Sequence, residues 1–262
     1  MRSKEPESLG YITPYCFKHA KMLHLYIGMD CTITQESFDS LASFWTDPSL
    51  HLQWGSVFVL PAWLKVWWQE FGPEAEPYLG VVRQGDKIIG IAPLLLKEKE
   101  ASIIGSPDVC DYLDFIVVPG METEFFSTLL NDLRQKGINQ LDMQSLRPDS
   151  TVLTNLVGMA KQQGYEVLSQ PEEVSVELDL PAGWDEYLAA LTKKQRHEVR
   201  RKLRRLSETD KVNYRYLEVK QPVGDFMDTF LKLFSLGHEE KAGFITARRE
   251  SFFRSLAAAM AE

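Results

Sequence analysis

Residues 78–120 read YLGVVRQGDKIIGIAPLLLKEKEASIIGSPDVCDYLDFIVVPG. Two apolar, β-branched runs, 78–83 and 87–96, flank Gln84-Gly85-Asp86, whose glycine supplies the positive φ that a hairpin turn needs. A further strand, bent or paired, is expected over 102–104 and 113–118. It is interrupted by Gly105-Ser106-Pro107-Asp108 and closed by Pro119-Gly120. Upstream, a short strand at 31–34 leads into a helix over 36–45, where Phe38, Leu41, Ala42 and Trp45 recur at helical spacing. Pro61 opens a second helix that ends near Phe71 and Gly72, with Trp63, Leu64, Trp67 and Trp68 along it. Five of the six tryptophans fall between residues 45 and 68. Each such ring buries roughly 150 Å² or more, so the cluster reads as core. Downstream, the patterns predict a helix over 122–135, a strand over 140–144, a helix over 150–163 and strands near 166–169 and 174–180. That order predicts a mixed α/β domain over 31–180, preceded by an extension, 1–30.

The chain has 262 residues, 29 basic and 37 acidic, for a formal charge of −8. With 44% hydrophobic and 25% charged residues, it has the proportions of a globular protein with a real core. Its longest apolar runs, such as 88–96, are about half the roughly 20 residues that cross a bilayer, so no membrane span is expected. No secretion signal is legible in the first thirty residues. Cys16, Cys31 and Cys110 form no Cys-x-x-Cys pair, and no histidine completes a zinc site. Cytoplasmic location and no metal are therefore expected.

The charge is unevenly placed. Residues 193–205, KKQRHEVRRKLRR, hold eight basic residues and one acid, so +7 sits here and −15 elsewhere. Thr192 and Gln195 fit a capping box, and Leu191, Gln195, Val199, Leu203 and Leu206 fall near one face of a helix over 192–206. Like charges at i and i+4, such as Arg196 with Arg200, repel. Either acidic groups of the protein neutralise this stripe, or it holds an anion such as phosphate or carboxylate. A concentrated stripe on an acidic body is not the extended positive face that coats nucleic acid.

The segments SVFVLPAWLKVWWQEFG (56–72), VVRQGDKIIGIAPLLL (81–96), GSPDVCDYLDFIVVPGME (105–122) and LPAGWDEYLAALTKKQRHEVRRKLRR (180–205) resemble the BioF-like and CelD-type acetyltransferase family of the GNAT superfamily. That family is related to the FemAB-type aminoacyl transferases. The resemblance covers about residues 36–256. It implies a GNAT-like acyl-CoA N-acyltransferase fold, an α/β sheet that splays open between its fourth and fifth strands to admit substrate, repeated in tandem. Residues 31–180 would be one complete copy and 181–262 the start of a second. Helices at 184–191, 223–234 and 247–261 and a strand at 212–218 are expected there. The sequence is expected to be a C-terminally incomplete fragment, the alternative being a natural short form whose last two helices pack on the first domain. Their apolar faces, with Phe226, Phe230, Leu233 and Phe234 and then Phe252, Phe253, Leu256 and Met260, need a partner either way.

The resemblance also implies an activity, the transfer of an acyl group from acetyl-CoA or another acyl-CoA to an amine or hydroxyl of a sugar or cell-envelope polysaccharide precursor. Nucleic acid enters only through aminoacyl-tRNA as an alternative donor. GNAT enzymes hold the CoA pyrophosphate on a glycine-bearing loop before a helix. The corresponding VVPGMETEFF (117–126) has one glycine, with Glu122 and Glu124 where the pyrophosphate would lie. The donor site is therefore expected outside this first copy, in sequence the chain does not contain. On the acceptor side, Asp111 and Asp114 are candidates to orient or deprotonate an amine, and Tyr112 to act as acid or hydrogen-bond donor. Asp108 is a candidate substrate contact in the same loop. Turn capping is the plainer reading of these residues. From the basic helix, Arg196, Arg200, Arg201 and Arg204 are candidates to clamp an anionic group. His197, pushed toward neutrality by its cationic neighbours, is a candidate base or substrate contact. Hydrolase, P-loop, zincin and Rossmann signatures are absent. A second function class remains, a non-catalytic module that binds an anionic polymer or RNA through the basic helix.

Overall fold

The computed structural model describes residues 12–16, 31–72, 74–172, 174–208, 223–237 and 243–261. The expected strand at 212–218 lies outside them. The described chain divides into two compact units, one of 1–172 with 222–262 and the other of 173–221.

The first unit is a mixed α/β structure. Its elements run β1 (Ile12–Cys16), β2 (Cys31–Gln35), α1 (Phe38–Trp45), α2 (Pro61–Phe71), β3 (Glu76–Gln84), β4 (Lys87–Lys97), β5 (Glu100–Ile103), β6 (Ile116–Val117), α3 (Glu122–Gln135), β7 (Gln140–Met143) and α4 (Val157–Gln162), with a π-helical turn, Val152–Leu156, leading into α4. The sheet has seven strands among the described residues, in the order β1-β7-β5-β4-β3-β2, with β6 also on β4. Among the described residues only β5 and β7 pair in parallel. Gly85 closes the β3–β4 hairpin at φ 58°, as its place in the sequence requires. Gly90 is fixed by packing, since a Cβ there would come within 2.4 Å of the Phe125 ring.

β5 and β6 are two parts of one interrupted strand. The Ile104 N–H donates to the Pro93 carbonyl (2.9 Å), but Pro93 has no N–H to return. β4 then advances only from Pro93 to Ile91 while its neighbour advances from Ile104 to Ile116. The chain between leaves the sheet as a loop. Beyond the pairing of Ser102 with Asp142, β6 follows β4 and β7 ends.

Two expected strands, 166–169 and 174–180, are not formed. Val174, Val176, Leu178 and Leu180 alternate as a strand would, yet they are 79, 94, 66 and 76% exposed. Alternation makes a strand only where a neighbour supplies the hydrogen-bond ladder. At the sheet edge beside β7 the antiparallel neighbour is β1, from the segment expected to be a simple extension.

The core fills with aromatic rings. Phe115 lies edge-on to Phe125 and Phe126, with centroids 5.6 and 5.3 Å apart. Two C-terminal helices, α7 (Val223–Gly237) and α8 (Ala247–Met260), belong to the same unit. Phe252 of α8 is fully buried, its centroid 5.6 Å from Trp63 and 5.1 Å from Phe71 of α2. Ser251 donates to a Glu70 carboxylate oxygen at 2.9 Å, and Arg248 donates to the Glu70 carbonyl. Of the apolar residues along α7, Phe226 and Phe234 are partly buried. Leu231 is buried, whereas Phe230 and Leu233 are exposed.

The second unit holds α5 (Trp184–Ala190) and the basic helix α6 (Lys193–Ser207), with the Thr192–Gln195 capping box formed.

Truncating Phe252 to Ala empties a site walled by Trp63 and Phe71, and should lower the unfolding free energy by about 3–5 kcal/mol. Urea unfolding checks this, with exposed Phe230→Ala expected within about 0.5 kcal/mol of the parent.

Candidate functional site

The loop that the sheet expels, residues 105–115, is held on several sides. Within it, the Val109 and Cys110 amides donate to the Ser106 carbonyl at 3.1 and 2.9 Å. Gly105, at φ 150°, lies so close to Leu113 that a Cβ would meet it at 2.7 Å. From α2, Trp63 donates its indole N–H to the Cys110 sulfur at 3.4 Å, and Trp67 donates to the Ser106 hydroxyl at 3.4 Å. Burial pushes the Cys110 thiol pKa up, and Cys110 itself is fully buried. The Ser56 hydroxyl donates to the Tyr112 carbonyl at 2.9 Å, and the Leu113 N–H donates to the Ser145 carbonyl at 2.8 Å.

One wall of a cleft of about 450 Å³ is the end of this loop, Tyr112 to Phe115. The segments 53–59 and 147–151 supply the rest of the wall, with Val117, Pro119 and Glu122. It thus lies where the interrupted strand and β7 part.

The sequence candidates meet different fates. Asp114 lines the cleft, yet its oxygens are taken. They accept from the Thr151 hydroxyl (2.6 Å), the Thr151 N–H (2.8 Å) and the Phe115 N–H (2.9 Å). It ties the loop to the start of the helical turn before α4, whose free N–H groups need such an acceptor. Burial pushes its pKa up, against the hydrogen bonds from Thr151, Phe115 and Val152 that favour the charged form. Tyr112 lines the cleft and carries the Arg147 guanidinium 5.2 Å from its ring centroid. Asp111 is exposed and does not line it. Asp108 is paired with Arg249 of α8, and that guanidinium also lies 4.4 Å from the Phe244 ring centroid.

The basic candidates belong to the second unit. Arg196 donates to the carbonyls of Leu188 (2.6 Å), Ala189 (3.0 Å) and Leu191 (3.0 Å). It thereby satisfies orphan acceptors at the end of α5. Arg201 forks Glu198 at 2.8 and 2.5 Å, holding that carboxyl below the usual range. Arg204 pairs with Glu208 at 3.7 Å. His197 is exposed. Lys193, Lys194 and Arg200 make no ion pair among the described residues. Of the apolar stripe, Leu191 and Val199 are partly buried, and Leu203 and Leu206 are 45 and 51% exposed.

Sequence reading missed Arg147 and Asp149, joined at 3.0 Å in the cleft wall. The string RPDS at 147–150 reads as turn chemistry, and nothing in its spacing distinguishes a cleft residue from a turn residue.

The N-terminus of α3 does not fit a CoA pyrophosphate. The Gly120 N–H, the donor such a loop would offer, already donates to the Glu122 carboxylate at 3.1 Å. Glu124 adds a second negative charge to the same first turn. Among the described residues no three His, Cys, Asp or Glu side chains gather to hold a metal ion, and no helix is long and apolar enough to cross a membrane.

Asp114→Ala would leave the amides of Phe115 and Thr151 without their acceptor. Each such buried orphan costs about 1–3 kcal/mol, so a stability loss of at least that size is expected in urea unfolding. The raised pKa sets the pH dependence. Folded Asp114 binds its proton more tightly than the unfolded chain does, so its contribution is largest below the unfolded pKa and declines as pH rises through the folded one. Comparing the pH profiles of parent and Asp114→Ala checks the sign.

No curated protein matches the chain. The model of one family, described as an acetyltransferase (GNAT) domain, matches residues 193–262. The match spans 70 of the 262 residues, and over that stretch the chain is similar to this family.

Proposed function

We propose that this protein is an acyltransferase of the BioF-like and CelD-type, moving an acyl group from an acyl-CoA, most simply acetyl-CoA, to the amine or hydroxyl of a small acceptor such as a sugar or cell-envelope precursor. The observation that carries this reading is the acetyltransferase-domain match over residues 193–262; the proposal therefore takes acyl-CoA to be bound by this chain, against the expectation that its site lies in sequence the chain does not contain. The cleft beside the 105–115 loop supports it, because a recess of about 450 Å³ falls within the range of small-molecule sites. The nucleic-acid module reading gains nothing from that match.

In this proposal the chain's own residues bind and orient the acceptor. Tyr112 lines the cleft from a loop held by α2, Ser56 and Ser145. Asp114 is a positioning residue, its oxygens spent on fixing Tyr112's neighbours rather than on taking a proton. Asp108 plays the same part at the other end of the loop through Arg249. Of the clamp candidates on α6, only Arg200 makes no ion pair or backbone hydrogen bond among the described residues, and it is given no part in this cleft. Arg196 serves the backbone of α5.

The test is acceptor-dependent release of CoA thiol from acetyl-CoA across a panel of amino sugars and small amines. Tyr112→Phe should lower kcat/KM for the acceptor about tenfold, the scale expected when one orienting hydrogen bond is lost, with unfolding unchanged. No acceptor-dependent release, together with no calorimetric acetyl-CoA binding, would overturn the proposal.

A further inference from the structure

Among the described residues, three carboxylates and one cation line the cleft. Asp114 is committed to Thr151 and the Phe115 amide, and Glu122 to the Gly120 N–H. The remaining carboxylate, Asp149, accepts from Arg147 Nε at 3.0 Å and from a second guanidinium N–H at 3.5 Å. These two residues are unequally held. Asp149 is 72% exposed and only two residues from its partner, whereas Arg147 is 39% exposed and rests on the Tyr112 ring.

A guanidinium stacked on an aromatic face keeps its plane, and its fork matches the paired oxygens of a carboxylate or phosphate. A local, mostly exposed ion pair is weak and easily exchanged for a better-enclosed one. The Arg147 fork is thus preset, and Asp149 is a member of the cleft's charge set that can leave without uncovering a buried group.

We infer that Arg147 is the anchor for an anionic group of the acceptor, a phosphate or carboxylate carried on the same small molecule as the amine, and that Asp149 holds its place when the cleft is empty. This rests on the cleft being the acceptor site, and it narrows the acceptor from any small amine to one that carries an acidic oxygen group. Binding transfers the fork from Asp149 to the ligand, with no change in covalent bonds.

The test uses the full chain without any acyl donor. Three probes share a two-carbon amine and differ in the far group: O-phosphoethanolamine, β-alanine and ethanolamine. Binding is followed by NMR at the Arg147 side-chain N–H and by titration to a dissociation constant. At least one anionic probe should shift that signal, and ethanolamine should leave it unmoved; the stronger of the two shows whether phosphate or carboxylate is preferred. Arg147→Lys, which keeps the charge and loses the fork, should weaken the preferred probe about tenfold. Asp149→Asn should tighten it severalfold, since the competing carboxylate is gone. Failure of both anionic probes to shift the signal, equal binding of all three, or weaker binding by Asp149→Asn would overturn the inference. Acceptor-dependent turnover that ignores Arg147→Lys would sink this inference alone, and anion binding with no acyl transfer would sink the acyltransferase reading alone.

Discussion

One missing N–H organises this molecule. Pro93 sits in the interior of β4, a strand paired on both edges, and accepts from Ile104 without being able to donate back. An interior strand tolerates such a residue only where pairing is interrupted. The ladder with β5 ends there, and pairing resumes at Ile116. Everything between is expelled from the sheet. A loop next to a core this apolar has to satisfy its own backbone, because stray N–H and C=O groups beside buried surface are costly. The hydroxyl of Ser56 and the carbonyl of Ser145 supply part of what its backbone needs, and indole N–H groups of α2 hold its Cys110 and Ser106 side chains.

The cleft is a consequence of that arrangement. The neighbours β5 and β7 share register only over their first residues. Past that point the interrupted strand continues along β4, and the 147–151 segment turns into the helix before α4. The Asp114 carboxylate joins the two sides. Local partners already answer most of the charge on the walls, so chemistry concentrates on the few groups whose partners are exposed. The same logic separates the arginines of α6. Arg196 is spent on carbonyls and Arg201 on Glu198, whereas Arg200 is not paired among the described residues.

Much of this was legible in sequence. Helix bounds at Pro61 and Glu122, the Gly85 turn and the Thr192 capping box follow from local chemistry and are found where expected. The glutamates that make the α3 N-terminus unfit for a pyrophosphate were visible as letters. What was not legible depends on partners distant in the chain. Val174 to Leu180 has a strand's alternation but no ladder, and Ile12–Cys16 gains one from β7. Phe252 reads as apolar, but that it buries itself on α2 beside Trp63 does not follow from its helix's own periodicity. Pro93 was a signal available and overlooked. A proline inside IAPLLL argues for an interruption, not a continuous strand.

Amide hydrogen exchange at Val109, Cys110 and Leu113 tests the central claim most directly, that the expelled loop is a fixed wall and not a mobile tip. Protection approaching that of the β4 amides is the result this account requires. Exchange at the rate of an unstructured peptide would contradict it.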